Sequence, residues 1–302
     1  MRPARARRTE TRSRSAAVAQ PLNIFGMPAD RDTIFSDHRG IPKARIEKRQ
    51  RKLIAKSALI KFFLHAGERL RCLTTAVTPA DTLEKLLTGP AFLFFRRSLL
   101  IFTDQRILHI PTRFNRSPHS AVSQIAFSGL AGVDLKGRTL RVRYKNGRQE
   151  AFTYLGRAER KKIRNMLDEM RLTKDDTHSA GRVHLCPSCA NPLKPADRRC
   201  SACNLRFKTA AQALWWALVI PGGGYFFSRH LLAGAIVGLA EVVLAVITAL
   251  AWRPFTADVQ AMTAVLLPAG GLMLVKSIAA VHAGRLVDEK MPAKQDYIQR
   301  KK

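Results

Sequence analysis

The stretch CPSCANPLKPADRRCSAC, from Cys186 to Cys203, contains two CxxC pairs and separates a basic front of the chain from an apolar back. The spacing C-x2-C-x10-C-x2-C is typical of zinc ribbons, in which each pair bends the backbone so that two sulfurs point at one ion. Four thiolates fill every position of a tetrahedral site, so the site would be structural rather than catalytic. We predict a zinc ribbon with a structural Zn²⁺ over residues 184–208. The predicted ligands are Cys186, Cys189, Cys200 and Cys203.

The 302-residue chain carries a formal net charge of +30, and most of this charge precedes Thr209. Such a surface favours anionic partners, either phospholipid headgroups or nucleic acid. An odd number of cysteines, four of them in CxxC pairs, indicates a reducing compartment and bound metal rather than disulfides. The fifth cysteine, Cys72, falls in a strand-like run and is expected to be a small buried apolar residue.

The start of the chain is basic and is interrupted by proline and glycine. Residues 1–42 are predicted to form a disordered basic tail, because the first residues have almost nothing apolar to bury. No apolar core follows the Arg-rich start, so a signal peptide is not expected, whereas a mitochondrial transit peptide stays an alternative. Residues 43–65 are predicted to form a basic amphipathic helix, which would lie on an anionic membrane or pack against the next domain.

Residues 66–172 have the alternation and turn signals of a small, mostly β domain that ends in a helix from Arg157 to Leu172. Asn146-Gly147 predicts a hairpin with a type I′ turn, because that turn requires positive φ at both central residues. About seven strands followed by one helix that covers the open end of a barrel is the plan of a pleckstrin-homology-like (PH-like) fold. The candidate strands before the hairpin turn are Arg69–Val77, Ala91–Phe95, Ser98–Phe102, Ile107–Ile110, Ala121–Phe127, Gly129–Leu135 and Leu140–Tyr144.

Two segments of this domain carry a family resemblance. Gly67-Glu68 and the run SLLIFTDQRIL from Ser98 to Leu108 resemble the signature of bacterial PH-like and GRAM-like domains. The resemblance covers residues 66–172 and implies a split barrel that often lies beside membranes, but it implies no particular ligand. If lipid is the ligand, the best candidate cations are the arginines around the turns that edge the central strands. They are Arg96, Arg97, Arg106, Arg113 and Arg116.

A polar linker is predicted over residues 173–183, and an apolar block follows the cysteines. Residues 209–227 contain two tryptophans and a Pro-Gly-Gly-Gly break, which predicts an interfacial or re-entrant helix rather than a full span. Residues 231–252 and 261–282 are each long and apolar enough for a transmembrane helix. Together they predict an all-α transmembrane hairpin.

The distribution of charge predicts how this hairpin is oriented. Two spans place the basic front and a basic tail over residues 283–302 on the same, cytoplasmic side of the membrane. The chain is therefore predicted to be a multi-pass protein of the bacterial inner (cytoplasmic) membrane with cytoplasmic N- and C-termini. The segment from Gly222 to Gly234 resembles the beginning of small bacterial two-span membrane domains, which supports the same topology.

Two charged residues fall within the predicted spans, Glu241 in the first and Lys276 in the second. An ion pair would lower the cost of keeping both in the membrane. The alternative is a protonated Glu241 with Lys276 extended towards the interface. Gly234-x-x-x-Gly238 could bring helices into close contact, either in a homodimer or between the two spans of one chain.

The predicted fold is multidomain α+β: a PH-like split β-barrel with a C-terminal helix, a C4 zinc ribbon, and a transmembrane hairpin preceded by an interfacial helix. No G-x-S-x-G, H-E-x-x-H or P-loop motif occurs, so no enzyme activity is predicted. The leading hypothesis is a membrane-anchored adaptor or sensor that binds anionic lipid or an unknown protein partner. Nucleic-acid binding is the second hypothesis, and an accessory subunit of a membrane transport complex is the third.

Overall fold

The computed structural model describes residues 21–78, 82, 84–85, 89, 92–113, 117–169, 181–252 and 259–293. This part of the chain is mixed α+β, with strands in the front and long helices in the back. The strands are β1 (Pro21–Ile24), β2 (Met27–Asp30), β3 (Leu70–Val77), β4 (Arg97–Thr103), β5 (Arg106–Pro111), β6 (Val122–Ala126), β7 (Leu130–Lys136), β8 (Thr139–Tyr144), β9 (Gln149–Phe152), β10 (Val183–Leu185) and β11 (Pro192–Leu193). The helices are α1 (Arg31–Ile34), α2 (Ala44–Lys56), α3 (Phe92–Phe95), α4 (Arg157–Glu169), α5 (Ala210–Val219), α6 (Gly223–Phe227), α7 (Leu231–Trp252) and α8 (Val259–Val287), with 3-10 helices at Ala58–Phe63 and Phe127–Gly129.

The described strands form two sheets. The larger sheet has the order β1-β2-β3-β4-β5-β6-β10-β11, and the smaller has the order β7-β8-β9. In the larger sheet β2 and β3 are parallel, and the other neighbours are antiparallel. A bridge between Val77 and Thr153 joins the two sheets. Because β6 pairs with β10, and β7 pairs with β8, the described strands do not close the predicted barrel.

The central strand β4 contributes to two apolar cores. Leu99 and Ile101 belong to the first core, which β1, β2, α2 and the following 3-10 helix help to form. Leu100 and Phe102 belong to the second core, together with residues of β8, β9 and α4. A strand that is buried on both faces has a continuous apolar sequence, which explains why this strand does not alternate.

The structure contradicts the predicted disordered tail over residues 1–42, because β1, β2 and α1 lie in it. β1 and β2 form a hairpin with a two-residue loop, Phe25-Gly26, and both loop residues have positive φ. Met27 is completely buried in the first core. The few apolar residues of this segment are separated by turn-forming residues, so they show no helical or strand periodicity. Residues 1–20 lie outside the described part of the chain.

Two other local predictions are wrong. Asn146-Gly147 joins β8 and β9, but only Gly147 has a positive φ, so the turn is not type I′. Its loop is one residue longer, with hydrogen bonds from Gly147 N to Tyr144 O (3.0 Å) and from Tyr144 N to Arg148 O (2.9 Å). Within the candidate strand Ala91–Phe95, the described residues form the short helix α3 instead, and the Phe95 side chain packs against Tyr225 and His282 of the back rather than against another strand.

The predicted helix over residues 43–65 forms as α2 followed by a 3-10 helix, and it packs against the sheet. Gln50 is buried; its Nε2 donates to Leu73 O (2.9 Å) and its Oε1 accepts from Leu73 N (3.3 Å). Ile54 and Ile60 lie in the first core. These contacts favour packing against the neighbouring domain over the alternative in which the helix lies on a membrane.

Helix α4 covers the second core, where Ile163 and Cys72 are fully buried. Burial raises the pKa of the Cys72 thiol to about 11, which agrees with its expected role as a small apolar residue. The predicted end of this helix at Leu172 and most of the predicted linker over residues 173–183 lie outside the described residues. The last residue of that linker, Val183, already belongs to β10.

Two helices of the back are long and apolar enough to cross a membrane. They are α7, with 22 residues, and the part Met262–Val287 of α8, with 26 residues. The second candidate span thus continues past the predicted end of the segment over residues 261–282. Helices α5 and α6 form the predicted interrupted helix before them. Both long helices expose large aliphatic side chains, among them Leu231, Ile236, Leu239, Val243, Leu250, Leu267, Met273 and Leu274.

Candidate metal centre and interface between the sheets and the helices

The two CxxC pairs have the same backbone geometry. In each pair the residue after the second cysteine, Ala190 or Asn204, has a left-handed conformation with φ 59° or 57°. Its N–H donates to the carbonyl of the first cysteine of the pair, at 2.8 Å and 2.9 Å respectively. Such turns place the two sulfurs of a pair on the same side.

The four cysteine sulfurs lie close enough together to bind one metal ion. All four Sγ atoms are within 4.8 Å of one another, and the Cys186–Cys203 and Cys189–Cys200 sulfur distances are each 3.5 Å. A tetrahedral site with metal–sulfur bonds of about 2.3 Å has sulfurs about 3.8 Å apart, so these residues fit a metal with only small adjustments. Backbone N–H groups also donate to the Cys186 and Cys200 sulfurs, as expected around thiolate ligands.

The cysteine module, residues 183–208, contacts both the front and the back of the molecule. Its strand β10 pairs with β6 and so extends the larger sheet. On its other side Lys208 N donates to Met291 O (2.8 Å), and Ala293 N donates to Arg206 O (2.9 Å). The segment that follows α8 is therefore hydrogen-bonded to the module, and the module joins the sheet to the end of the second long helix.

A group of buried charged residues lies where these parts meet. Arg182 contacts Glu289 at 3.2 Å and Glu150 at 3.3 Å. Arg96 makes two 2.6 Å hydrogen bonds to Glu84 and lies 3.8 Å from Glu289. We call Glu84, Arg96, Arg182, His282 and Glu289 the interface cluster.

The interface cluster keeps its charges because opposite charges compensate for burial. Burial alone would raise the pKa of Glu289, but Arg182, with smaller contributions from His109 and other neighbours, lowers it to about 2. Burial also lowers the pKa of His109 to about 3, and the nearby Arg182 adds to this effect. Glu289 is thus stabilised as a carboxylate and His109 as a neutral ring.

The interface cluster reaches into the helices through an aromatic contact. Tyr225 Oη and His282 Nδ1 are 2.9 Å apart, and His282 Nε2 lies 3.4 Å from Glu84 Oε1. Phe95 of α3 stacks on the Tyr225 ring with 5.6 Å between centroids. Neither the cluster nor this contact was predicted, because the participating residues come from distant segments and form no motif.

The structure brings Glu241 and Lys276 together. Lys276 Nζ lies 2.9 Å from Glu241 Oε2 and also donates to Ala217 O at 3.2 Å. The same carboxylate oxygen accepts a hydrogen bond from Gly222 N at 3.2 Å. The pair therefore binds backbone groups where the chain breaks between α5 and α6, and these groups have no intrahelical partner.

The glycines of α7 face this break rather than a second copy of the chain. A Cβ on Gly222 would lie 2.0 Å from Gly234 O, and one on Gly238 would lie 3.0 Å from Pro221 O. The sequence left two alternatives for Gly234-x-x-x-Gly238, a homodimer contact or packing between the two spans. Gly238 instead faces the Pro221-Gly222 turn, and a Cβ on Gly234 would lie 2.6 Å from the Phe226 ring.

The five arginines predicted to bind anions have different surroundings. Arg106 is buried and does not suit this role, because its guanidinium donates to Glu68 at 2.9 Å and 2.8 Å and also to Phe63 O and Gln124. Arg96 belongs to the interface cluster. Arg97 and Arg113 are half-buried, and Arg116 lies outside the described residues.

The two segments that carry the family resemblance meet at Arg106. Besides the Glu68–Arg106 pair, Thr103 Oγ1 accepts hydrogen bonds from Gln105 N and Arg106 N at 3.2 Å and 3.0 Å. Asp104 Oδ1 accepts from Arg69 N at 3.0 Å. These residues therefore hold the β4–β5 turn against the start of β3.

No family model matches the chain, and no curated protein and no solved structure matches it either. Its function must therefore be inferred from the contacts and chemistry of its own residues.

Proposed function

We propose that this protein is a non-enzymatic, membrane-anchored adaptor or sensor of a bacterial inner membrane. Its sheets and cysteine module would lie in the cytoplasm and bind anionic lipid or a protein at the inner leaflet. The observation that carries this proposal is the double attachment of the cysteine module. It pairs with β6 on one side and with the segment after α8 on the other, so it would hold the sheets at a fixed position next to the spans.

The exposed aliphatic surface of α7 and α8 supports insertion into a bilayer, because water would disfavour it. The buried Glu241–Lys276 pair supports the same proposal, since unpaired charges and backbone groups are costly in lipid. Trp215 and Trp216 of α5 are exposed and would lie at the level of the headgroups.

The donor set of the cysteine module supports zinc as the bound metal. Four thiolates with this spacing are the usual ligands of structural Zn²⁺, and they leave no coordination position open for chemistry. A bound ion would fix both turns of the module and, through them, the strands that pair with β6 and with the segment after α8.

The order of the elements supports a PH-like fold for the front of the chain. Seven strands, β3 to β9, form one four-stranded and one three-stranded arrangement, and α4 follows them. The larger sheet is extended at both edges, by β1 and β2 on one side and by the cysteine module on the other. This extension would make the domain one rigid body with the membrane anchor.

The proposal is tested with the full chain purified in detergent and reconstituted in phosphatidylcholine nanodiscs. We expect these nanodiscs to capture vesicles that contain phosphatidylglycerol in preference to pure phosphatidylcholine vesicles at moderate salt, and the metal content to be one zinc per chain. Recovery of the chain from cells as a soluble protein without detergent would contradict the membrane anchor. Equal capture of both vesicles would contradict the lipid-binding version.

Nucleic-acid binding is a second candidate, favoured by the exposed cations Lys194, Arg198, Arg199 and Arg206 of the cysteine module. Such binding would weaken steeply with salt, because phosphate contacts release counterions. An electrophoretic shift of DNA that is lost when Arg198 and Arg199 are changed to Gln would support it. The third hypothesis, an accessory transport subunit, predicts a transport defect in Glu241→Gln.

A further inference from the structure

A cleft lies at the ends of the central strands β3, β4 and β5 of the larger sheet, beside Tyr154, which follows β9. It has a volume of about 210 Å³ and is lined by one cation, four residues with a hydroxyl group and apolar residues. The polar lining groups are Arg97, the hydroxyls of Thr75, Thr112 and Tyr154, and Ser98, whose hydroxyl donates to Ala76 O at 3.4 Å. No described carboxylate lines it, in contrast to the interface cluster nearby.

Arg97 differs from the arginines around it. Arg96, Arg106 and Arg182 all form ion pairs with buried carboxylates. Arg97 makes no ion pair with a described residue, and its guanidinium carbon lies 4.9 Å from the centre of the exposed Phe94 ring. A half-buried guanidinium that is held over an aromatic ring and has no carboxylate partner retains its donors for an anion.

The composition of the cleft matches a phosphate group attached to a small alcohol. Guanidinium groups bind phosphate with parallel N–H donors, and hydroxyl groups supply further donors. The apolar lining by Val77, Leu93 and Tyr154 would accommodate carbon atoms next to the phosphate. Pockets for drug-sized ligands usually measure about 300–1,000 Å³, so this cleft suits a headgroup rather than a whole lipid or nucleotide.

The rim of the cleft has two features of a binding site. Tyr154 has a left-handed backbone with φ 59°, which is costly for a bulky residue and is found mostly where the position of the side chain matters. The Arg138 guanidinium carbon lies 5.8 Å from the Tyr154 ring centre, which places a second cation beside the opening.

Arg97 also connects the cleft to the helices. It lines a second, small cavity together with His230, Leu286 and Met291, which lie at the ends of the candidate spans. If these spans are in a bilayer, the cleft lies close to the headgroup layer. This step rests on the proposed function, whereas the chemistry of the cleft does not.

We propose that the Arg97 cleft binds the phosphate group of an anionic phospholipid headgroup or of a free phosphate compound of similar size. Arg97 provides the charge, and Thr75 and Thr112 orient the phosphate oxygens. Arg138 lies at the rim and increases the local attraction for anions.

The test uses the full chain in a phosphate-free maltoside detergent and isothermal titration calorimetry. The probes are inorganic phosphate and short-chain dihexanoyl phosphatidylglycerol. We expect saturable binding, and we expect Arg97→Gln to weaken it by at least about tenfold, since a charge-assisted hydrogen-bonding group is lost. Arg141→Gln is the matched control, because Arg141 is exposed on β8 and does not line the cleft.

The two probes distinguish the sources of the phosphate. Binding of phosphatidylglycerol alone assigns the cleft to a lipid headgroup, and binding of both probes assigns it to the phosphate group itself. In either case Arg97→Lys should give an intermediate loss, and Thr112→Val a loss of a fewfold, with melting temperatures close to that of the wild type.

The absence of saturable binding to both probes would overturn the proposal, and so would equal affinities of Arg97→Gln and Arg141→Gln. Neither result bears on membrane anchoring, which the need for detergent tests separately. Conversely, a soluble chain that binds phosphate through Arg97 would contradict the anchor and leave the cleft assignment intact.

Discussion

The sheets and the helices each contain a buried ion pair next to a turn that interrupts the regular secondary structure. In the sheets Arg106 meets Glu68 with two hydrogen bonds and also binds a backbone carbonyl and Gln124. In the helices Lys276 Nζ donates one hydrogen bond to Glu241 Oε2. The other carboxylate oxygen, Glu241 Oε1, has no hydrogen-bond partner among the described residues. The first pair is geometrically more complete, but the second binds backbone groups that water could not reach in a bilayer. The same chemistry is thus expected to matter more in the helices.

The largest effect is expected from the part that connects the two regions. Removing the metal with a chelator should unfold the cysteine module, because binding of structural zinc contributes about 10–16 kcal/mol in small zinc domains. The segment after α8 would then lose its pairing with Arg206 and Lys208. Faster tryptic cleavage at Arg198 and Arg199 in the full chain would report this change. Cys72→Ala is the control, since it should leave the metal content and the cleavage rate unchanged. Undiminished protection after complete metal removal would show that the ion pairs alone connect the regions.

The pair in the helices is expected to give the next largest effect. Lys276→Met leaves Glu241 buried without its cation and should cost about 3–5 kcal/mol. Thermal unfolding in detergent, followed by the fluorescence of the tryptophans, measures the loss. The double variant Glu241→Gln with Lys276→Met should recover part of it, because no uncompensated charge stays buried. Equal losses in the single and double variants would mean that the lysine acts through packing and not through its charge.

The pair in the sheets should give a smaller loss. Arg106→Met should cost about 3 kcal/mol, at the low end for a broken buried pair, since Glu68 keeps the hydrogen bond from His65 N at 2.8 Å. The matched control is Arg143→Gln, which removes an exposed pair with Asp134 and should change stability by about 0.5 kcal/mol or less. A loss for Arg106→Met that exceeds the loss for Lys276→Met would reverse the comparison.

The smallest effect is expected from mild acid, which should lower stability through His109, a ring 3.0 Å from Arg182 of the interface cluster. His109 has a pKa of about 3 in the folded chain, below its usual value of 6.5, so the unfolded chain binds the proton first as the pH falls. The contribution of the neutral His109 ring to the free energy of unfolding has its full value above about pH 6.5. It should fall by roughly 2 kcal/mol by pH 5. The low pKa of Glu289 acts in the same direction, but only as the pH falls from about 4.5 towards 2. A pH titration of the melting temperature with His109→Gln as reference measures this effect. A parallel pH dependence in wild type and variant would assign it to other groups.

Local signals in the sequence predicted the parts of the molecule that depend on neighbours along the chain. The CxxC spacing, the long apolar runs and the four central strands of the larger sheet, β3 to β6, are of this kind. Even here the turn chemistry was misassigned: positive φ at two successive loop residues occurs at Phe25-Gly26 and not at Asn146-Gly147. Both dipeptides permit a tight turn, and the strands around them decide which type forms.

The sequence could not predict contacts between distant segments. Glu84, Arg182 and Glu289 belong to no sequence motif, and their pairing depends on the sheet, the cysteine module and the end of α8 coming together. The same holds for Arg106, which looked like a surface cation because it follows a turn. Its partner, Glu68, belongs to the Gly67-Glu68 dipeptide that resembles PH-like domains, and that resemblance implies no contact with Arg106.

The chain leaves the cysteine module after Lys208 and returns to it at Met291, and these two residues are joined by a 2.8 Å hydrogen bond. The helical unit between them is therefore an insertion with adjacent ends, in the same way that a long loop is an insertion in a hairpin. A short linker in place of residues 210–287 would span the gap without strain on the strands of the cysteine module. If the helices are the membrane anchor that we propose, exchange of the insertion would change the location of the protein while leaving its sheets, cysteine module and Arg97 cleft in place.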